Sequence, residues 1–213
     1  MFSVFNIKGG VGKTAIATNL ALSMGYQLFT NDEFGVVDRH IKNVIKIRFG
    51  EAFPKNLNRD SRFVLDLGGF IDRSVKDALI KSSVILIPIT FDQPTVEATL
   101  LKLVPAILPY NQNLIFIVNR AKKGEYENLL VKVHNYCEKK NLNSYPVFEI
   151  KESVSVGRIL SVKKSVAEQM NENGLNRRHY AIVKAQFDHL IDHIKLHYES
   201  SIQTVDTSQV EVA

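Results

Sequence analysis

Lys8-Gly9-Gly10-Val11-Gly12-Lys13-Thr14 is the stretch whose reading decides the fold. It follows a short apolar run over residues 2–7 that reads as a buried strand. Beyond it, Ile16, Ala17, Leu20, Ala21 and Met24 recur at helical spacing, and Gly25 ends the series as a C-cap. A glycine-rich turn between strand and helix is the context a phosphate loop requires. Its glycines let the backbone turn tightly, so that consecutive N–H groups face phosphate oxygens. The helix N-terminus adds the positive end of its dipole. Gly9, Gly10, Val11, Gly12, Lys13 and Thr14 are therefore the expected nucleotide-binding residues. Lys13 is expected on the β- and γ-phosphates, and the Thr14 hydroxyl on Mg²⁺.

Outward from the loop, the chain alternates strand and helix. Residues 26–30, 63–67, 84–89, 114–118 and 145–150 read as further strands. The segment 84–89 is almost purely apolar, as a strand covered on both faces must be. Helices are expected over residues 39–48, 72–81, 94–103, 125–140 and 175–198, the first of them basic and amphipathic. The alternation predicts an α/β fold: a doubly wound, mostly parallel sheet with helices on both faces. Residues 1–199 are expected to form one domain, and 200–213, polar and free of Lys or Arg, a disordered tail.

Composition narrows the function. Of 213 residues, 27 are basic and 22 acidic, a net charge of +5 that favours anionic partners. The single cysteine, Cys137, excludes an internal disulfide or a multi-cysteine metal site, and fits a reducing compartment. The first residues do not read as a signal peptide. No window approaches eighteen uninterrupted apolar residues, so no membrane span is expected.

The loop KGGVGKT, opening on Lys8, resembles the deviant Walker A box of the ParA/MinD ATPases. The resemblance implies ATP and Mg²⁺ as ligands, hydrolysis to ADP and phosphate, and a homodimer formed on ATP. In it Lys8 would reach across to the partner's phosphates, as an arginine finger does. Asp32 matches the first aspartate of the family's D-x-D-P-Q stretch, which positions Mg²⁺ or the attacking water, although Glu33-Phe34-Gly35 departs from that pattern. Asp66, ending the strand Phe63-Val64-Leu65, resembles the Walker B carboxylate that holds Mg²⁺ through its water shell. Gly68-Gly69 resembles the mobile second switch. Asn119 stands where the family reads the adenine edge, and no N-K-x-D guanine motif follows it.

Within the family, the chain looks most like the small plasmid-partition proteins. Only about 33 residues separate Asp32 from Asp66, and with the first strand read at residues 2–7 no DNA-binding extension is expected before it. The resemblance implies non-specific DNA binding by the dimer, a ParB-like centromere-binding partner, and a cytoplasmic, nucleoid-associated location. Arg158, Lys163, Lys164, Arg177 and Arg178 are the candidate DNA contacts, with Arg39, Lys42, Lys46 and Arg48 as a second cluster. The C-terminal residues offer no basic face, so MinD-type membrane targeting is not expected. A lone cysteine cannot bridge the cluster of a nitrogenase-type reductase. A positioning ATPase for a protein cargo and a carboxylate ligase of the dethiobiotin-synthetase type are the alternatives. His189, His193 and His197 share one helix face and read as half-exposed rather than metal-binding.

Overall fold

The computed structural model describes residues 1–32, 35–42, 44–48, 51, 53–54 and 60–199. Glu33, Phe34 and the expected tail over 200–213 lie outside the described residues. Seven strands form one sheet: β1 (Phe2–Val4), β2 (Gln27–Thr30), β3 (Val44–Lys46), β4 (Phe63–Asp66), β5 (Ile85–Ile89), β6 (Leu114–Ala121) and β7 (Val147–Lys151). Their order is β3-β2-β4-β1-β5-β6-β7, and every pairing is parallel. β1 thus sits mid-sheet, and the loop that follows it opens at the sheet's carboxyl edge, where ligands bind in open α/β folds.

The period-two alternation of the strands sorts their side chains into two cores. Ile85, Ile87, Ile89, Leu114, Phe116 and Val118 pack toward α3 (Arg73–Lys81), α5 (Val104–Ile107) and α6 (Glu125–Lys139). Val84, Leu86, Ile115 and Ile117 pack on the opposite face toward α1 (Lys13–Met24), α7 (Val154–Val162), α8 (Val166–Met170) and α9 (Gly174–Tyr198). Phe5, Leu65 and Phe116 are wholly buried, each contributing about 2–3 kcal/mol. Coverage of both faces explains why β5 reads as an uninterrupted apolar run.

The expected helix over 39–48 is not there. The chain makes one short helix, α2 (Val37–His40), and then β3, which extends the sheet beside β2 with Leu28 opposite Val44 and Phe29 opposite Ile45. Val44, Ile45 and Ile47 are β-branched, and their stiff side chains fit a pleated edge better than a helix. The backbone N–H of Ile47 completes the pairing on the Thr30 carbonyl at 2.8 Å. The helix expected over 94–103 also runs longer. α4 (Gln93–Glu97) passes into wider π-helical turns over Ala98–Leu103 and then into α5, which contains Pro105, a residue with no N–H to give the ladder. Two helices, α7 and α8, occupy a stretch that carried no sequence assignment. Ser153 caps the first, and Ser165 with Glu168 forms a capping box on the second.

Candidate nucleotide site

The loop after β1 is held at its root by a buried amide. Asn6 donates through Nδ2 to the Pro88 carbonyl (2.8 Å) and to Thr99 Oγ1 (3.0 Å), while its Oδ1 accepts the Lys8 backbone N–H (2.9 Å). Gly10 and Gly12 then take left-handed backbone angles, φ 78° and 92°. At Gly12 this is only half the constraint, because a Cβ there would meet Asn119 Nδ2 at 2.1 Å. α1 starts immediately, and among the described residues no side chain caps it, so its first N–H groups face the loop as donors for a ligand. Lys13 folds back over the loop, and its Nζ donates to the Lys8 carbonyl at 3.2 Å. Burial holds the Lys13 ammonium below the usual lysine range, against the opposing pull of Asp66 and Asp32.

Two acids face this lysine from neighbouring strand ends. Asp66 is 1% exposed and accepts from the Thr14 hydroxyl and, at 3.4 Å, from Thr30 Oγ1. Burial pushes its carboxyl up to about 6, despite Thr14 and Lys13. Asp32 follows β2, and its backbone N–H donates to Thr30 Oγ1 at 3.2 Å. Thr30 lies opposite Asp66 in the β2–β4 register, so one hydroxyl serves both acid-bearing loops. Thr14 and Asp66 are an oxygen set of the kind magnesium takes: a hydroxyl and a buried carboxylate beside a phosphate loop.

Asn119 stands at the end of the regular β6 ladder, where a bulge turns Arg120 into a left-handed backbone angle, φ 56°. Its Nδ2 donates to the Val11 carbonyl at 2.8 Å, which ties β6 to the loop, while its buried Oδ1 has no hydrogen-bond partner among the described residues. A cavity of about 120 Å³ opens beside it, lined by Gly12, Ala15, Asn119, Arg120, Lys151 and Ser153 among others. A buried amide oxygen without a donor is the exception in folded proteins, and this one belongs to a residue that lines the cavity.

Lys8, Gly9 to Thr14, Asp32, Asp66 and Asn119 therefore converge on one edge. Lys8 lies at its mouth, near enough for its charge to help the Thr90 hydroxyl and the Thr95 amide hold Asp92 below the usual carboxylate range. The candidate DNA contacts do not join them. Arg158 lies on α7, Lys163 caps its C-terminus at φ 58°, and Arg177 and Arg178 are exposed near the start of α9. Lys164 is paired with Glu172 at 2.8 Å. In the second cluster, Lys46 is engaged with the Gly35 carbonyl at 2.9 Å. The His189 and His193 rings pack on Phe148, with centroids 5.0 and 5.1 Å away. Sequence reasoning missed Asn6, Thr30 and Asn31. The one signal for Asn6 was an amide closing an otherwise apolar strand, since a buried amide must find partners.

No family model matches the sequence, and no curated protein matches it. Solved structures do. A putative plasmid partition protein from Borrelia burgdorferi, bound to AMPPNP, matches with a TM-score of 0.57 at 16% identity over 91% of this chain and 98% of its own. The septum-site-determining protein MinD from Pyrococcus horikoshii, complexed with Mg-ADP, matches at 0.55 and 15%, over 89% and 96%. McdA from Cyanothece, solved as an ATP complex, matches at 0.54 and 12%, over 88% and 95%. The chain has the fold of the ParA/MinD-type P-loop ATPases.

Proposed function

We propose that this chain is an ATP-switched ATPase of the ParA/MinD kind, and that it segregates plasmid or chromosomal DNA. The observation that carries the reading is the convergence of left-handed Gly10 and Gly12, a half-buried Lys13 and the Thr14–Asp66 pair at one strand edge. The loop amides and Lys13 hold the phosphates. Thr14 directly, and Asp66 through water, would hold magnesium, which when bound would supply charge neutralisation at the phosphates. Asp32 orients the attacking water. The partnerless Oδ1 of Asn119 accepts the exocyclic amine of adenine; guanine would present an oxygen there and leave two acceptors face to face. Lys8, at the mouth of the site, reaches the phosphates of a second copy and makes dimerisation depend on ATP.

In this reading residues 1–199 are the working unit, in the cytoplasm on the nucleoid. The dimer brings two flanks bearing Arg158, Lys163, Arg177 and Arg178 onto DNA, which raises avidity. A ParB-like partner stimulates turnover. Among the described residues no helix is long and apolar enough to cross a membrane.

Calorimetry with ATP in magnesium tests the premise. Wild type binds, and removal of magnesium or Lys13→Ala abolishes most of the affinity. A wild type with no magnesium-dependent affinity for adenine nucleotides overturns the reading. Retention on DNA in a salt series then tests the cargo. ATP-dependent, salt-sensitive retention supports partition, and nucleotide binding without retention assigns the switch to a protein cargo. An ATPase burst that needs a small-molecule carboxylate assigns it to a ligase.

A further inference from the structure

The β2–β4 ladder ends at the Thr30–Asp66 rung, yet the two loops beyond it stay joined. Asn31, 8% exposed, accepts the Gly68 backbone N–H on its Oδ1 at 2.7 Å, and its own N–H reaches the Asp66 carbonyl at 3.4 Å. A short side-chain amide thus does what a backbone carbonyl would do one rung further on. The far side of the same segment is pressed against the phosphate loop. Leu67 donates its N–H to the Val4 carbonyl at 3.1 Å, and a Cβ on Gly69 would lie 3.1 Å from the Ile7 carbonyl oxygen. Residues 67–69 are therefore wedged between the root of the phosphate loop and Asn31. The next residue, Phe70, is 75% exposed.

We infer that Asn31 is a positioning residue that couples the Asp32 loop to the Gly68–Gly69 segment, so that both respond to nucleotide as one body and Phe70 moves with them. The inference rests on the nucleotide reading above. Residue type decides the coupling. Alanine offers Gly68 no acceptor, and glutamine carries its oxygen one carbon too far. Aspartate keeps the oxygen in place but sets a third carboxylate beside Asp32 and Asp66. Asn31 acts through Gly68 and Asp32, and its loss should change communication between the loops rather than grip on the nucleotide.

Amide hydrogen exchange on the full chain, alone and with Mg-ADP or Mg-AMPPNP, tests this. Without nucleotide, Asn31→Ala should speed exchange at Gly68 about tenfold and leave Leu67, bonded to Val4, unchanged. Asn31→Asp should restore slow exchange at Gly68. With Mg-AMPPNP, wild type should slow at both Asp32 and Gly68, and Asn31→Ala at Asp32 alone, with Mg-ADP affinity kept within about threefold. If Asn31→Ala does not fold, Asn31→Gln provides the same comparison. Wild-type exchange at Gly68 in Asn31→Ala, or in Asn31→Gln where it takes that place, or a paired response that survives the substitution, overturns the coupling. A wild type that ignores Mg-AMPPNP sinks the nucleotide reading instead. The nucleotide-free comparison then still decides whether Asn31 holds Gly68.

Discussion

The loop between β1 and α1 and the basic flank formed by α7, α8 and the start of α9 both look ready for phosphate, but they are built differently. In the loop each group has one place. A Cβ on Gly12 would collide with Asn119, Lys13 is folded onto Lys8, and Asp66 is buried beneath Thr14. On the flank, Arg158, Lys163, Arg177 and Arg178 are exposed and no backbone geometry fixes their target, while Lys164 is already paired with Glu172. A buried site concentrates its energy in single residues; a solvated cationic surface spreads it thinly over many. Substitutions should therefore separate the two regions by the size of their effects.

The largest effect belongs to Lys13→Ala. It should weaken Mg-ATP binding roughly a hundredfold or more by calorimetry, because the charge it removes lies in a desolvated site. A loss under tenfold would place the loop with the flank. Gly12→Ala comes next. Its Cβ would meet Asn119 at 2.1 Å on a backbone at φ 92°, so the melting temperature should fall, with a cost on the order of 2–4 kcal/mol. Adding Asn119→Ala removes the clash but not the backbone strain, and only part of that loss should return. Lys8→Ala should reduce ATP-driven dimerisation about tenfold in sedimentation velocity, with affinity of the single subunit changed less than about threefold.

The pH response sharpens the contrast further. The Asp66 carboxyl titrates near 6, above the ordinary carboxylate value of about 3.9. A raised value means that the nucleotide-free fold gains stability from this group at pH below about 4 and loses it as pH rises through about 6. Magnesium needs the ionised form, so Mg-ATP affinity should fall as pH drops below about 6, and Asp66→Asn should flatten that dependence. The smallest single effects belong to the flank. Arg177→Glu or Arg178→Glu should each lower the salt slope of DNA retention by about one, and Lys164→Glu by less, because Glu172 already neutralises it. Equal losses from Lys164 and its neighbours would show that the pair opens on DNA.

What was legible in the sequence follows from how local its cause is. The strand, turn and helix around Lys8–Thr14 were readable because the glycines and the apolar spacing that shape them lie close together in the chain. β5 and β6 were readable because burial on both faces leaves an unmistakable apolar run. β3 was misread as a helix because Arg39, Lys42 and Lys46 mimic an amphipathic pattern, while the pairing that makes it a strand belongs to β2. α7 and α8 were overlooked because both are short, the first carries Gly157 in its interior, and the Lys163-Lys164-Ser165 junction separates them. Asn6 and Asn31 could not be assigned, since Pro88 and Thr99 lie 82 and 93 residues from the one and Gly68 lies 37 from the other.

Asn6 carries a consequence for how the protein tolerates change. Its amide joins the root of the phosphate loop to Thr99, a fully buried residue inside the π-helical turns between α4 and α5. In a deep mutational scan scored for nucleotide hydrolysis, position 99 should pattern with positions 6 and 8 rather than with the helix around it. Losses at 6 and 99 should show strong epistasis, since whichever mutation comes first leaves the second little to remove.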